Sequence, residues 1–137
     1  MRELKYKFWD REEKRMIGPN LDSERYYIGS YNGLALFDTE REDEDGYTYQ
    51  MDVEFLQYTG LKDRNGKEAY HKDIVDYEGF LYVIEWDEKN TGFYLAYIRD
   101  LHNPESEEHL KGSCITLSTI KSHILEPGKL LLGEDTP

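Results

Sequence analysis

The sequence predicts a mainly β protein (α+β with little helix) made of antiparallel hairpins, and three observations carry that reading. Apolar and polar residues alternate in short runs, the period of a half-buried strand. Turn residues separate the runs at roughly the eight-to-twelve-residue spacing of small all-β domains. Twelve tyrosines in 137 residues supply large rings with polar tips that cover a core or an interface.

The first run alternates, with Leu4, Tyr6 and Phe8 on one face and Lys5, Lys7 and Trp9 on the other. The charged stretch Asp10 to Lys14 reads as a turn, Met16 and Ile17 as the returning strand, and Gly18-Pro19-Asn20 as its end. Arg25 to Tyr31 and Leu34 to Phe37 flank Asn32-Gly33, whose residues tolerate the positive φ of a type I′ hairpin turn. Asp38 to Asp45 holds six acids and one arginine, and its self-repulsion predicts an exposed, mobile loop. That loop is the expected boundary between lobes 1–45 and 46–137 of a single domain spanning 1–137.

Tyr47 to Tyr58 reads as one strand ended by Thr59-Gly60, and Asp63-Arg64-Asn65-Gly66 as a tight reversal. Ile74-Val75, Phe80 to Trp86 and Phe93 to Ile98 then alternate with turn clusters, the pattern of a small SH3-like barrel lobe. Asn103 as N-cap, Pro104 at the first helical position and Lys111-Gly112 as a stop predict one short helix near 104–111. Ile115 to Leu125 returns to strand-like sequence, and Leu130, Leu131 and Leu132 follow as a terminal apolar cluster that closes the core or docks on another subunit.

Composition narrows function. Hydrophobic residues make up 38% and charged residues 34%, enough apolar surface for one core and too many aromatics for an unfolded polymer. The net charge of -12, from 29 acids and 17 bases, sets a field that repels nucleic-acid backbones and anionic membranes. Nucleic-acid and membrane partners are therefore disfavoured. The basic residues Lys5, Lys7, Arg11, Lys14 and Arg15 cluster, but Asp10, Glu12 and Glu13 interleave them as on a solvated hairpin. A single cysteine, Cys114, permits neither an internal disulfide nor a multi-cysteine zinc site, and its neighbours Ile115 and Leu117 suggest a buried strand position. With no signal peptide, lipidation motif or long apolar span in view, the expected location is the cytoplasm.

The opening Met-Arg-Glu-Leu-Lys-Tyr-Lys-Phe-Trp-Asp and the string from Phe55 to Val75, with Leu61-Lys62-Asp63, Asn65-Gly66-Lys67-Glu68 and Asp73-Ile74-Val75, resemble the YopX family of bacteriophage and prophage proteins. The resemblance covers Met1 to Asp10, Glu54 to Trp86 and, more loosely, Ile115 to Leu132. In that family a glycine usually precedes the aspartate found here as Asp73, whereas this chain has Lys72. The Leu125 to Leu131 stretch only partly echoes the family's tail. The resemblance implies a phage-derived, mostly β, intracellular protein that self-associates, and it implies no catalytic residues.

The chemistry-bearing residues form no constellation. His71, His102, His109 and His123 lie at no spacing that fixes a metal or acid–base geometry. Asp45-Gly46 and Asn65-Gly66 resemble the centre of a calcium loop, yet position one would be Arg41 or Leu61 and position twelve Asp52 or Lys72, which do not complete it. Neither phosphate-binding glycine loop nor nucleophile elbow occurs. The expectations are thus no enzyme activity, no catalytic residue, no cofactor and no metal. Tyr82, Trp86 and Tyr94, with the terminal leucines Leu130, Leu131 and Leu132, are the candidate interaction surface. The leading function is a phage accessory protein acting through homo-oligomerisation and contacts with a host or phage protein. The alternative is an acidic regulator whose carboxylates occupy a nucleic-acid-binding protein.

Overall fold

The structure is a computed structural model that describes residues 5–30 and 33–123. It is 55% strand and 8% helix in antiparallel sheets, so the mainly β class read from alternation holds. The described residues fall into two compact units, Tyr6–Phe55 and a second that holds Lys5 and the residues from Leu56 onward.

In the first unit β1 (Tyr6–Asp10) pairs with β2 (Arg15–Ile17). The Asp10 carboxylate caps the turn between them, its Oδ1 accepting the N–H groups of Glu12 and Glu13 at 3.0 and 3.2 Å. β3 (Tyr26–Ser30), β4 (Leu34–Glu42) and β5 (Thr48–Gln50) form a three-stranded sheet in chain order. Tyr31 and Asn32 lie outside the described residues, and β3 pairs with β4 from Tyr26 opposite Asp38 to Ser30 opposite Leu34. Phe8, Ile17, Tyr26, Leu36 and Met51 make the core, and Phe55 closes it edge-on against Phe8 at 4.9 Å.

β6 (Val53–Lys62) opens in the first unit, and its later residues pair with β7 (Glu68–Tyr70) in the second. There β8 (Asp73–Tyr77), β9 (Phe80–Asp87), β10 (Gly92–Tyr97), β11 (Leu110–Lys111) and β12 (Thr119–His123) form a sheet in the order β11-β10-β9-β8-β12. The sheet curls into a half-barrel, the form taken by the expected barrel-like lobe. Ala69, Val75, Tyr82, Ile84, Leu95 and Ile115 fill its interior.

Five local expectations are corrected. The acidic run Asp38 to Asp45 is not a free loop: its first five residues belong to β4, and Asp38 is fully buried. The stretch Tyr47 to Tyr58 is two strands, interrupted at Met51, whose N–H turns to the Leu36 carbonyl at 2.8 Å and whose side chain enters the core. Thr59-Gly60 does not end β6. The strand shifts register between Tyr58 and Lys62, with Gly60 at φ +89, which is how a bulge absorbs extra residues.

The fourth correction is the helix near 104–111, which does not form. Asn103 caps a single turn, its Oδ1 accepting the Glu105 N–H at 3.1 Å, and Leu110 and Lys111 are taken by β11 against Leu95 and Tyr94. An eight-residue helix starting from a costly nucleus loses to strand pairing with a formed sheet. His109 fixes the alternative: its Nδ1 accepts the Tyr97 N–H at 3.0 Å while Nε2 sits 2.7 Å from the Asn103 carbonyl. Among the described residues the helical segments are two short 3-10 turns, Ile98–Asp100 and Gly112–Leu117, and the second holds Cys114 half-buried beside the core rather than in a strand.

Candidate interaction surfaces

The residues singled out in the second unit do not make one surface. Tyr82 is 6% exposed and belongs to the core, because strand alternation places it with Ile84 on the interior face of β9. Trp86 shares that alternation, and its ring meets the cross-strand Phe93 at 5.0 Å. Tyr94 pairs with Glu85 in the register, so it projects from the opposite face and packs on His109 at 5.5 Å. Leu130, Leu131 and Leu132 lie outside the described residues.

What the second unit does gather is a charged cluster at the β7–β8 turn. Lys72 Nζ donates to both Glu85 oxygens at 3.0 Å, and His71 Nε2 lies 3.3 Å from Glu85 Oε1. Burial pushes the Glu85 carboxyl up, but the His71 and Lys72 contacts win and hold it below the ordinary glutamate range. Lys72 adopts φ +74, a left-handed conformation that favours glycine and costs another residue about 1–2 kcal/mol. The sequence had marked this position, since a glycine is usual there in the family it resembles. The geometry shows what the lysine does instead: it neutralises Glu85 and ties the turn to β9. Among the described residues no three His, Cys, Asp or Glu side chains come together to hold a metal ion.

In the first unit the sheet is braced from one side and bare on another. Asp38 accepts from Arg25 Nε and an Arg25 terminal N–H at 3.0 and 3.1 Å, from Arg41 Nε at 3.0 Å, and from the Glu40 N–H at 3.0 Å. This forked clamp holds its carboxyl at about 2, with the Arg25 hydrogen bonds the leading cause. Both guanidiniums also lie over rings, Arg25 on Tyr26 at 4.9 Å and Arg41 on Tyr49 at 4.1 Å. No motif announces this group, because Arg25 and Asp38 are brought together only by the β3–β4 register.

β3 is the edge of its sheet. Thr39 N–H donates to the Arg25 carbonyl, and Met51 N–H to the Leu36 carbonyl, so hydrogen-bonded pairs alternate such that Tyr27/Phe37 and Gly29/Ala35 face each other. Ile28 and Ser30 therefore turn their backbone groups away from β4. The side chains agree: Tyr27 is 46% exposed, Ile28 44% and Leu34 56%. Tyr27 stacks on Phe37 at 4.9 Å with the rings 17° apart, and a Cβ at Gly29 would come within 2.8 Å of the Phe37 ring, which leans over that glycine. Sequence reasoning found β3 as a strand but gave it no functional role, because edge position depends on non-local pairing.

The described residues thus form antiparallel, mainly β sheets with a curled half-barrel, a buried carboxylate clamped by two arginines and an uncharged strand at one sheet edge. The model of the YopX protein family matches residues 5–116, and the chain belongs to that family. Among solved structures it is similar to protein EF1440 from Enterococcus faecalis, at 19% identity and a TM-score of 0.54, covering 96% of this chain and 99% of that one. At that identity the likeness establishes the shared fold. No curated protein matches the chain. No helix among the described residues is long and apolar enough to cross a membrane.

Proposed function

We propose that this YopX-family protein is a non-enzymatic phage or prophage accessory protein that works in the host cytoplasm through protein contacts and assembles into a homo-oligomer. The observation that supports this most is the β3 edge, where Tyr27 and Ile28 stand exposed on adjacent positions of a strand that carries no charge. Soluble proteins commonly protect such edges with lysine, proline or bulges, and β3 has none of these along its five residues. The His71–Lys72–Glu85 group supports a structural role rather than catalysis, since the lysine already neutralises the acid that would serve as a base. Light scattering coupled to size exclusion tests the reading: an oligomer at tens of micromolar is expected, and a strictly monomeric species removes self-assembly from it.

One observation favours the second reading, an acidic regulator of a nucleic-acid-binding protein. Glu40, Glu42, Asp43, Glu44 and Asp45 are exposed around the β4–β5 hairpin while Asp38, from the same run, is not. Capture of a DNA- or RNA-binding protein from host lysate, lost when these five exposed acids are changed to their amides, would establish that reading; capture indifferent to the change would remove it.

A further inference from the structure

We infer that β3 is the self-association edge, two copies joining their three-stranded sheets by antiparallel β3–β3 pairing about a twofold axis at Ile28. The inference rests on the proposed self-assembly and specifies its site. The outward N–H and C=O of Ile28 supply a narrow, doubly hydrogen-bonded pair when they meet the same residue of a second copy, and an antiparallel strand is self-complementary in that operation. The side chains fit the same axis. Pairing Ile28 with Ile28 sets Tyr27 of one copy opposite Gly29 of the other, where the absence of a side chain leaves the Tyr27 and Phe37 rings of the two copies free to pack.

Charge restricts where two copies can meet. Each copy carries -12, so association is opposed at long range, and contact must form where the chain is locally neutral. Tyr26-Tyr27-Ile28-Gly29-Ser30 is such a stretch; the Asp22 carbonyl already holds the Tyr26 N–H at 2.9 Å, so the pairing centres on Ile28, which brings no acid to the axis. A cationic extended peptide is the competing occupant, and salt separates the two. Screening strengthens the pairing of like-charged copies and weakens the binding of a cation.

Sedimentation equilibrium of the full chain at about 0.05 M and about 0.5 M salt tests the inference, alongside Ile28→Lys, Ile28→Pro and, as a control at an exposed aromatic of the second unit, Phe80→Lys. Proline at 28 removes an N–H that β4 does not use and that no other strand among the described residues pairs with, so the monomer retains its inner ladder. The expected result is a dimer tightened by salt, loosened at least tenfold by both Ile28 variants and unchanged by Phe80→Lys. A Cys114→Ser, Ile28→Cys double variant gives a second measurement that requires no loss of stability. Hydrogen-bonded antiparallel partners sit about 5.5 Å apart at Cα, within disulfide reach, so an intermolecular 28–28 disulfide is expected under mild oxidation. An oligomer indifferent to both Ile28 variants and lacking that disulfide overturns the β3 site while leaving self-assembly standing. A monomer overturns both, and a monomer whose β3 binds a cationic peptide overturns the choice of occupant.

Discussion

Asp43-Glu44-Asp45-Gly46 in the first unit and Asp63-Arg64-Asn65-Gly66 in the second fold alike. In each, the leading aspartate's Oδ1 accepts two N–H groups at 2.9 Å, from Asp45 and Tyr47 in one and from Asn65 and Lys67 in the other. Gly46 and Gly66 both sit at φ +85 and both donate to the leading aspartate's carbonyl, at 3.1 and 3.0 Å. The difference lies in the second carboxylate oxygen. Asp63 Oδ2 accepts the Ile120 N–H at 3.0 Å, and the neighbouring Arg64 N–H reaches the Ser118 carbonyl at 2.9 Å, so this turn anchors the start of β12. Asp63 is 6% exposed, whereas Asp43 is open to water. The same local code therefore makes a surface reversal in one place and a tertiary joint in the other, and burial with an additional donor decides which.

That rule ranks the acids of this chain, and mutation tests the ranking. Asp38, fully buried beneath two arginines, stands highest, so Asp38→Ala should cost about 3–4 kcal/mol in chemical denaturation by leaving Arg25 and Arg41 without their shared partner. Its carboxyl pKa is lowered on folding, so its stabilisation is complete above the ordinary aspartate value near 4 and is lost as pH falls through about 2. An Asp38→Asn variant should flatten that part of the acid-unfolding profile; an unchanged profile would contradict the clamp.

Next comes Asp63→Ala, with an expected loss of about 2–3 kcal/mol and the earliest loss of amide protection at Ile120. Asp43→Ala should cost under about 1 kcal/mol, since water replaces the carboxylate. Equal costs at Asp43 and Asp63 would break the comparison. The smallest effect is expected at Lys72. Lys72→Gly relieves the positive φ but gives up the pair with Glu85, and the two nearly offset, leaving a change within about 0.5 kcal/mol. A large destabilisation there would mean that the ion pair outweighs the backbone strain.

What the sequence made legible follows the range of the interactions involved. Alternation marked β1, β2, β8, β9 and β10, and the Asp63 to Gly66 reversal is spelled by its own four residues. Asp38 was misread because a carboxylate within an acidic run looks solvated until Arg25, thirteen positions earlier, is brought beside it by strand pairing. The Asn103-Pro104 signal was real as a turn and failed as a helix, since β10 offered Leu110 and Lys111 a partner that local propensity does not see. Tyr82, Trp86 and Tyr94 look alike in composition, and period-two alternation with the β9–β10 register puts Tyr82 and Trp86 on one face of the sheet and Tyr94 on the other. The β3 edge was invisible for the same reason: which strand lies outermost is a property of the sheet.

Concentration-dependent amide exchange measures the state of that edge residue by residue. The Tyr27 and Gly29 amides point into the β3–β4 ladder and should be protected at every protein concentration, whereas the Ile28 amide should gain protection only as concentration rises and copies pair. Exchange at Ile28 that is fast at every concentration, in a sample that light scattering shows to be oligomeric, would contradict pairing at this strand.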